Sequence, residues 1–521
     1  MTQNRLIIFV SIFFVLFYNY TFFVHTLEVY PLNSENIGFL ISLILLLITF
    51  IVFLLTLLRS RWTTKPLIIL VVLISSMTAY FMNTYHVVID DSMIQNFVQT
   101  DIAESMDLFS WKQVLYFVLL GLLPSYVVYK SKINYGTFKQ EIISKLKVLG
   151  ISLVIILGLI FAFSKFYTSF AREHKPLRYH TNPTYWIYSI GKYIGKTFSS
   201  GQIVVKPLGL DAKIESTPNS SKKLTIMIVG EAARADRFSL NGYTRETNPL
   251  LAQEHIINFS NFSSCGTSTA ESVPCMFSIY DRGDYSYKKG ISTENVLDVL
   301  THTGEVDILW RDNNSDSKKV AIRIGEENYQ SSENNTICDE ECRDEGMLIG
   351  LDAYIKAHPS KNILIVLHQM GNHGPAYYKR YPKTFEQFTP VCKTNQLEEC
   401  SQEEISNAYD NVILYTDYFL AKTINFLKDY QKNYSTSMIY IADHGESLGE
   451  NGLYLHGLPY FMAPEAQTHV GALMWFGDNR GDKVDGTKPY SQDNLFHTLL
   501  GNFDVKTEVY KPKMDIFNVS K

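Results

Sequence analysis

The sequence predicts five membrane-spanning helices followed by an α/β domain on a mostly parallel sheet, with helices on both faces. Three observations predict it. Long apolar runs are confined to residues 1 to about 170, the remaining chain has ordinary soluble composition, and within it short β-branched runs alternate with helical patterns. The expected division is therefore 1–170 for the membrane, 171–223 for an interfacial helix and linker, and 224–521 for the soluble domain. The 521 residues carry a formal net charge of -5, which names no partner. Lys and Arg are dispersed or gathered at membrane edges, so no basic nucleic-acid surface is present.

The five spans are expected at Leu6–Val24, Ile37–Leu58, Leu67–Met82, Gln113–Tyr129 and Val148–Phe163. Each approaches the ~20 residues a helix needs to cross ~30 Å of hydrocarbon. The first run is too long for a cleaved signal peptide, and no small-residue cleavage site follows it. Arg59, Arg61 and Lys65 lie between spans two and three, and Lys130, Lys132, Lys139, Lys145 and Lys147 between four and five. The loops His25–Asn36 and Thr84–Trp111 contain no Lys or Arg. The positive-inside rule puts the N-terminus in the cytoplasm and everything after about residue 165 outside it.

Pro183–Phe198, with Tyr185, Trp186, Tyr188 and Tyr193, reads as an amphipathic helix in the membrane interface or as a plain soluble helix. Lys206–Lys223, with its Pro and Ser residues, reads as a linker. All six cysteines follow it and fall into three close pairs: Cys265 and Cys275, Cys338 and Cys342, Cys392 and Cys400. Their irregular spacing and the absence of CxxC favour disulfides over a thiolate metal site, and hence an oxidising compartment.

In the soluble domain three apolar runs end in polar clusters. Residues 224–229 lead to Glu231, residues 363–367 to His373, and residues 438–442 to Asp443 and His444. Ligands of open α/β sheets bind at the carboxyl ends of strands, so these side chains are expected to meet. Carboxylates and neutral imidazoles suit zinc or manganese. Taken singly, Glu231 reads equally as a helix cap and each His as an ordinary polar residue, whereas a carboxylate buried at a strand end needs a cation or hydrogen bonds. Between Cys265 and Cys275 lies a hydroxyl-rich turn with Thr267, Ser268 and Thr269, any of which is a weak nucleophile until a base or metal takes its proton. Without the metal cluster the same turn reads as structural.

At these residues the chain resembles the phosphoethanolamine transferases of the alkaline phosphatase superfamily, and most of all the lipid A-modifying, mobile colistin resistance type. The resemblance runs over essentially the whole chain, on 230–249, 263–278, 310–318, 368–382 and 443–457. It implies an alkaline phosphatase or sulfatase-like α/β domain in the periplasm, carried by a multi-pass protein of the bacterial inner membrane. It further implies that Thr269 is the nucleophile and that Glu231, Thr269, Asp443 and His444 hold a principal zinc. His373 and His456 are implied to line the substrate side or hold a second zinc, and Lys318 to meet the substrate phosphate. Asn96, Thr100 and Glu104 match the family's lipid-headgroup segment, and their i, i+4, i+8 spacing places them on one helix face; a solvated polar face is the plainer reading. Glu271, just past the nucleophile, departs from the neutral residue expected there.

The implied activity is transfer of phosphoethanolamine from phosphatidylethanolamine to a lipid A phosphate by a monomer, through a phosphoethanolamine-threonine intermediate, with polymyxin resistance as its consequence. The alternatives are transfer to another envelope glycan, a membrane-anchored phosphodiesterase or sulfatase-like hydrolase, and a non-enzymatic scaffold that leaves the cluster without a role.

Overall fold

A computed structural model describes residues 1–99, 106–198, 204–214 and 221–518. It divides into two units: Met1–Ile94 with Phe109–Ile194, and Gln95–Leu108 with Gly195–Lys521.

The first unit is helical. Helices α1 (Gln3–Tyr18) and α2 (Tyr20–Val29) form a pair bent by 65°. Among the described residues four further helices are long and apolar enough to cross a membrane: α3 (Ile37–Leu58), α4 (Thr64–Tyr85), and then Trp111–Lys130 and Phe138–Ala162. The last exceeds its expected span because the capping box of Thr137 and Gln140 starts the helix well before its apolar run, across Lys139, Lys145 and Lys147. Val154, Leu157 and Phe161 on this helix are exposed, a surface that suits lipid and not water.

The bend of α1 and α2 falls on Asn19, which is buried in apolar surroundings and therefore needs partners. Asn182 supplies them: Asn19 Nδ2 donates to the Asn182 carbonyl (2.7 Å) and Asn182 N donates to Asn19 Oδ1 (2.9 Å). Asn182 also donates to the Ser75 carbonyl on α4 (3.0 Å) and accepts from the Trp186 indole (3.2 Å). Through these bonds the start of the aromatic helix Thr184–Phe198 is docked on the helical unit, with Trp186 buried and Tyr188 exposed.

The second unit is an α/β domain. Its main sheet has seven strands, in chain order β1 (Lys222–Gly230), β2 (Ile256–Asn258), β3 (Val306–Asp312), β4 (Glu327–Asn328), β5 (Asn362–His368), β6 (Tyr434–Ala442) and β7 (Ala472–Phe476). The spatial order is β2-β7-β6-β1-β5-β3-β4. Strands β6, β1, β5, β3 and β4 are mutually parallel, while β7 runs antiparallel to both β6 and β2. The sheet is thus mixed but mostly parallel, as expected, with β7 alone of its seven described strands running against the others. The apolar run of β7 looks like any buried strand, and nothing in its sequence gives its direction.

Ile226, Met227, Ile228 and Val229 of β1 are all buried, as continuous apolar central strands must be when both faces are covered. The 27-residue helix Gln402–Lys428 contributes to the same core through Tyr409, Ile413 and Phe419. Part of the stretch read as linker is built into this unit: Lys213–Ile214 pairs antiparallel with Val505–Lys506, and Leu208 and Ala212 join the core.

The register positions the site. Gly230 on β1 pairs with Ala442 on β6, and Val229 pairs with His368 on β5. Glu231 and Asp443 are therefore the next residues on two adjacent parallel strands, with the residues that follow β5 on the other side.

Candidate active site

Glu231, Asp443 and His444 meet at these strand tips, with one ligand atom from each lying within 4.8 Å of the others. All three are buried. Asp443 Oδ1 accepts from the backbone N–H groups of Ala232 (3.0 Å) and His444 (2.7 Å). Its Oδ2 has no hydrogen-bond partner among the described residues. Nδ1 of His444 lies 2.8 Å from the Gly445 carbonyl oxygen, which only accepts, so Nδ1–H donates and Nε2 presents its lone pair. Burial holds this imidazole below its usual pKa, against the pull of Asp443, and thus keeps it in the neutral ligand form. Nε2 faces Glu231 Oε1 at 3.4 Å and Asp443 Oδ2 at 3.5 Å. Two buried carboxylates beside a neutral imidazole repel each other unless a cation lies between them, so this donor set fits a divalent metal.

Thr269 is the first residue of the helix Thr269–Met276, after the cap residue Ser268. Its hydroxyl donates to Glu231 Oε2 (3.1 Å) and lies 3.4 Å from His444 Nε2. Of the three hydroxyls in the turn, Thr267 instead donates to the Leu458 carbonyl (2.6 Å). The Thr269 oxygen stands where a helix N-terminus favours negative charge. Glu271, in the first turn of the same helix, leaves this hydroxyl's contacts in place.

All three expected cysteine pairs are disulfides: Cys265–Cys275, Cys338–Cys342 and Cys392–Cys400. The first closes ten residues around the nucleophile turn. A Cys265→Ser, Cys275→Ser double variant is expected to lose about 2–3 kcal/mol of stability by the loop-entropy relation. Thermal unfolding of the full chain, with and without reductant, checks this: reductant should bring the parent close to the variant.

His456 adjoins the cluster, its ring centroid 4.2 Å from that of His444, and His373 lies beyond at 6.2 Å from His456. Nδ1 of His456 is 3.2 Å from Glu446 Oε1. Burial pushes the Glu446 carboxyl up to about 8, opposed chiefly by His444. Lys318 is buried, with φ +48°, and its Nζ donates to Ser315 Oγ (2.5 Å) and the Gln99 carbonyl (3.5 Å). Asn96 lies on the helix Asp91–Gln99, where Gln95 donates to the Ala270 carbonyl (3.3 Å) and Gln99 to the Tyr287 hydroxyl (3.3 Å). Thr100 and Glu104 lie outside the described residues.

Three participants escaped the sequence reading. Asn314 donates to Glu231 Oε2 (2.8 Å) and to the Gln369 carbonyl (3.0 Å), tying the loop after β3 to the cluster. Glu446 backs His456, and its place three residues after Asp443 was the available signal. Asp344 is buried and accepts from Met370 N (2.8 Å), Gly371 N (3.2 Å) and Asn313 Nδ2 (2.8 Å), which shapes the loop after β5. That loop passes so close to Glu231 that a Cβ on Gly371, at φ +44°, sits 2.9 Å from the Glu231 carbonyl oxygen. Gly371→Ala is therefore expected to cost about 1–3 kcal/mol in backbone strain and to weaken metal binding by displacing Glu231. Melting temperature and metal content of the purified variant measure the two effects.

The chain is similar to known proteins over both of its units. Residues 223–505 match the sulfatase family, and residues 47–198 match the phosphoethanolamine transferase EptA/EptB family. The phosphatidylethanolamine transferase Mcr-2 of Escherichia coli is 44% identical over 507 residues, covering 95% of this chain and 94% of that protein. The integral membrane lipooligosaccharide phosphoethanolamine transferase A of Neisseria meningitidis superposes with a TM-score of 0.94 at 34% identity, over 99% of this chain and 98% of that one. The C-terminal periplasmic domain of phosphoethanolamine transferase EptC from Campylobacter jejuni gives a TM-score of 0.54 at 45% identity, over 60% of this chain and 98% of that one.

Proposed function

This chain belongs to the EptA/EptB family of phosphoethanolamine transferases, and from that premise we propose that it moves phosphoethanolamine from phosphatidylethanolamine to a phosphate of lipid A. It does so as a five-span protein of the bacterial inner membrane, with residues 224–521 in the periplasm as the catalytic domain, 171–223 leading to it, and zinc as its metal. The observation that carries the reading is the Thr269 hydroxyl, set 3.1 Å from Glu231 and 3.4 Å from His444 at a helix N-terminus.

Glu231, Asp443 and His444, with the Thr269 oxygen, are the residues that would hold the ion. When bound, the zinc neutralises the carboxylates and lowers the pKa of the hydroxyl. The Glu231 carboxylate takes the Thr269 proton through the hydrogen bond it already accepts, and the N-terminal peptide groups of the helix stabilise charge that develops on Oγ1 and on the phosphoryl oxygens. Oγ1 forms a bond to phosphorus, and the bond from phosphorus to the diacylglycerol oxygen breaks. That oxygen takes a proton from His456, which Glu446 backs. Lys318 holds a phosphoryl oxygen. An acceptor phosphate oxygen then bonds to phosphorus, the bond from phosphorus to Oγ1 breaks, Thr269 regains the proton held by Glu231, and His456 is reprotonated from the acceptor phosphate or from water. His373 and His456 line this second approach or hold a second zinc.

The transferred amine offsets phosphate charge on lipid A and weakens attraction of cationic polymyxins. Mass spectrometry of lipid A from cells with and without the chain tests the proposal. A phosphoethanolamine increment only in expressing cells is expected; free phosphoethanolamine with unmodified lipid A indicates a hydrolase instead.

A further inference from the structure

The catalytic unit contains a cavity of about 270 Å³, lined by Asn313, Asn314, Glu340, Glu341, His373 and Arg380 among others. It adjoins the reacting centre through Asn314, whose Nδ2 bonds Glu231 Oε2 at 2.8 Å, the same oxygen that receives the Thr269 hydroxyl at 3.1 Å. The cavity wall is thus two hydrogen bonds from the nucleophile.

Its charge is negative, because Asp107, Glu340 and Glu341 outnumber Arg380. Arg380 is already engaged, with both Asp107 and Glu341. What the wall leaves over is acceptors. Asn313 is 1% exposed, and its Oδ1 has no hydrogen-bond partner among the described residues. The amide is fixed in this sense because its Nδ2 donates to the Cys342 carbonyl (3.0 Å) and Asp344 Oδ1 (2.8 Å). Oε2 of Glu341, on the same cavity, is likewise buried and unpartnered.

Buried acceptors without donors are costly, and their desolvation is repaid only by a group that brings N–H or O–H. A primary ammonium offers three donors and no acceptor, together with the charge the wall calls for. A trimethylammonium carries the charge but no N–H, and a neutral polyol carries hydroxyls but no charge. Resting on the transfer reaction proposed above, we infer that this cavity receives the primary ammonium of the ethanolamine headgroup, with Glu341 Oε2 and Asn313 Oδ1 as its acceptors. Glu341 is thereby a specificity-determining residue of the donor site.

The test uses the full-length, metal-loaded protein in mixed micelles, with diacylglycerol release measured from phosphatidylethanolamine and from phosphatidylglycerol. Glu341→Gln is expected to lower kcat/KM for phosphatidylethanolamine about tenfold or more, the loss of one charged hydrogen bond. Any rate with phosphatidylglycerol, which brings no ammonium to Glu341, should be slowed less, so that selectivity narrows. Equal slowing of both donors, or of neither, overturns the inference. A second measurement on the unmutated protein does not depend on the variant's folding: phosphoethanolamine should inhibit at least about tenfold more strongly than phosphocholine, and equal inhibition overturns the inference. If the unmutated protein releases diacylglycerol from no donor, the proposed transfer itself fails, an outcome distinct from loss of headgroup selectivity.

Discussion

Thr269→Ala abolishes transfer, with an expected loss of at least about 10⁴-fold in kcat, because removal of a covalent nucleophile leaves only binding and charge stabilisation. The variant should fold, since alanine fits the first turn of the helix and Cys265–Cys275 still closes the loop. Glu231, Asp443 and His444 are untouched, so bound metal should still be detected. Thr269→Ser separates the hydroxyl from the methyl group: it keeps an oxygen within reach of Glu231 but loses the β-branched restriction on its rotamer, and measurable activity should survive. Diacylglycerol release by the purified full chain compares all three. Retention of substantial activity in the alanine variant assigns the chemistry elsewhere.

Asp443→Asn is the second large effect, and it acts in opposite directions with and without metal. Asparagine can still accept from Ala232 N and His444 N through its oxygen, so the turn after β6 is preserved. What disappears is one of two negative charges in a buried cluster. Metal affinity is expected to fall more than about 100-fold, beyond the range seen on altering residues that merely support a ligand, and activity falls with it. The metal-free variant should nevertheless melt no lower than the metal-free parent, because one buried like-charge repulsion is gone. Added zinc should raise the melting temperature of the parent and leave that of the variant nearly unchanged. A chelator should silence the parent and zinc restore it. Calorimetric melting and metal analysis of both forms decide the matter.

The centre of this site was legible because its parts sit on strand tips. Three apolar runs each end in polar residues, and the parallel register does the rest: with Gly230 opposite Ala442, Glu231 and Asp443 have nowhere else to go. The hydroxyl turn was legible, but the choice among Thr267, Ser268 and Thr269 came only from family resemblance, since it depends on where a helix starts relative to a cluster formed by distant residues. Lys318 was illegible for the same reason. In sequence it is a lysine in a polar loop, and its burial and its contact with the Gln99 carbonyl come from a segment 219 residues away. In the membrane part, composition located the apolar helices but not the bend at Asn19. A single amide inside an apolar run looks like a tolerated exception until its partner, Asn182, is in view. The direction of β7 was hidden in another way, because an apolar strand reads the same in either sense.

The proposed reaction stands on the hydroxyl of Thr269 itself carrying the group in transit. Incubating the full-length protein with phosphatidylethanolamine and no acceptor, then mapping its peptides by mass spectrometry, tests this directly. One phosphoethanolamine on Thr269 that disappears when lipid A is added is expected; a label on another residue, or none while transfer proceeds, contradicts a threonine-borne intermediate.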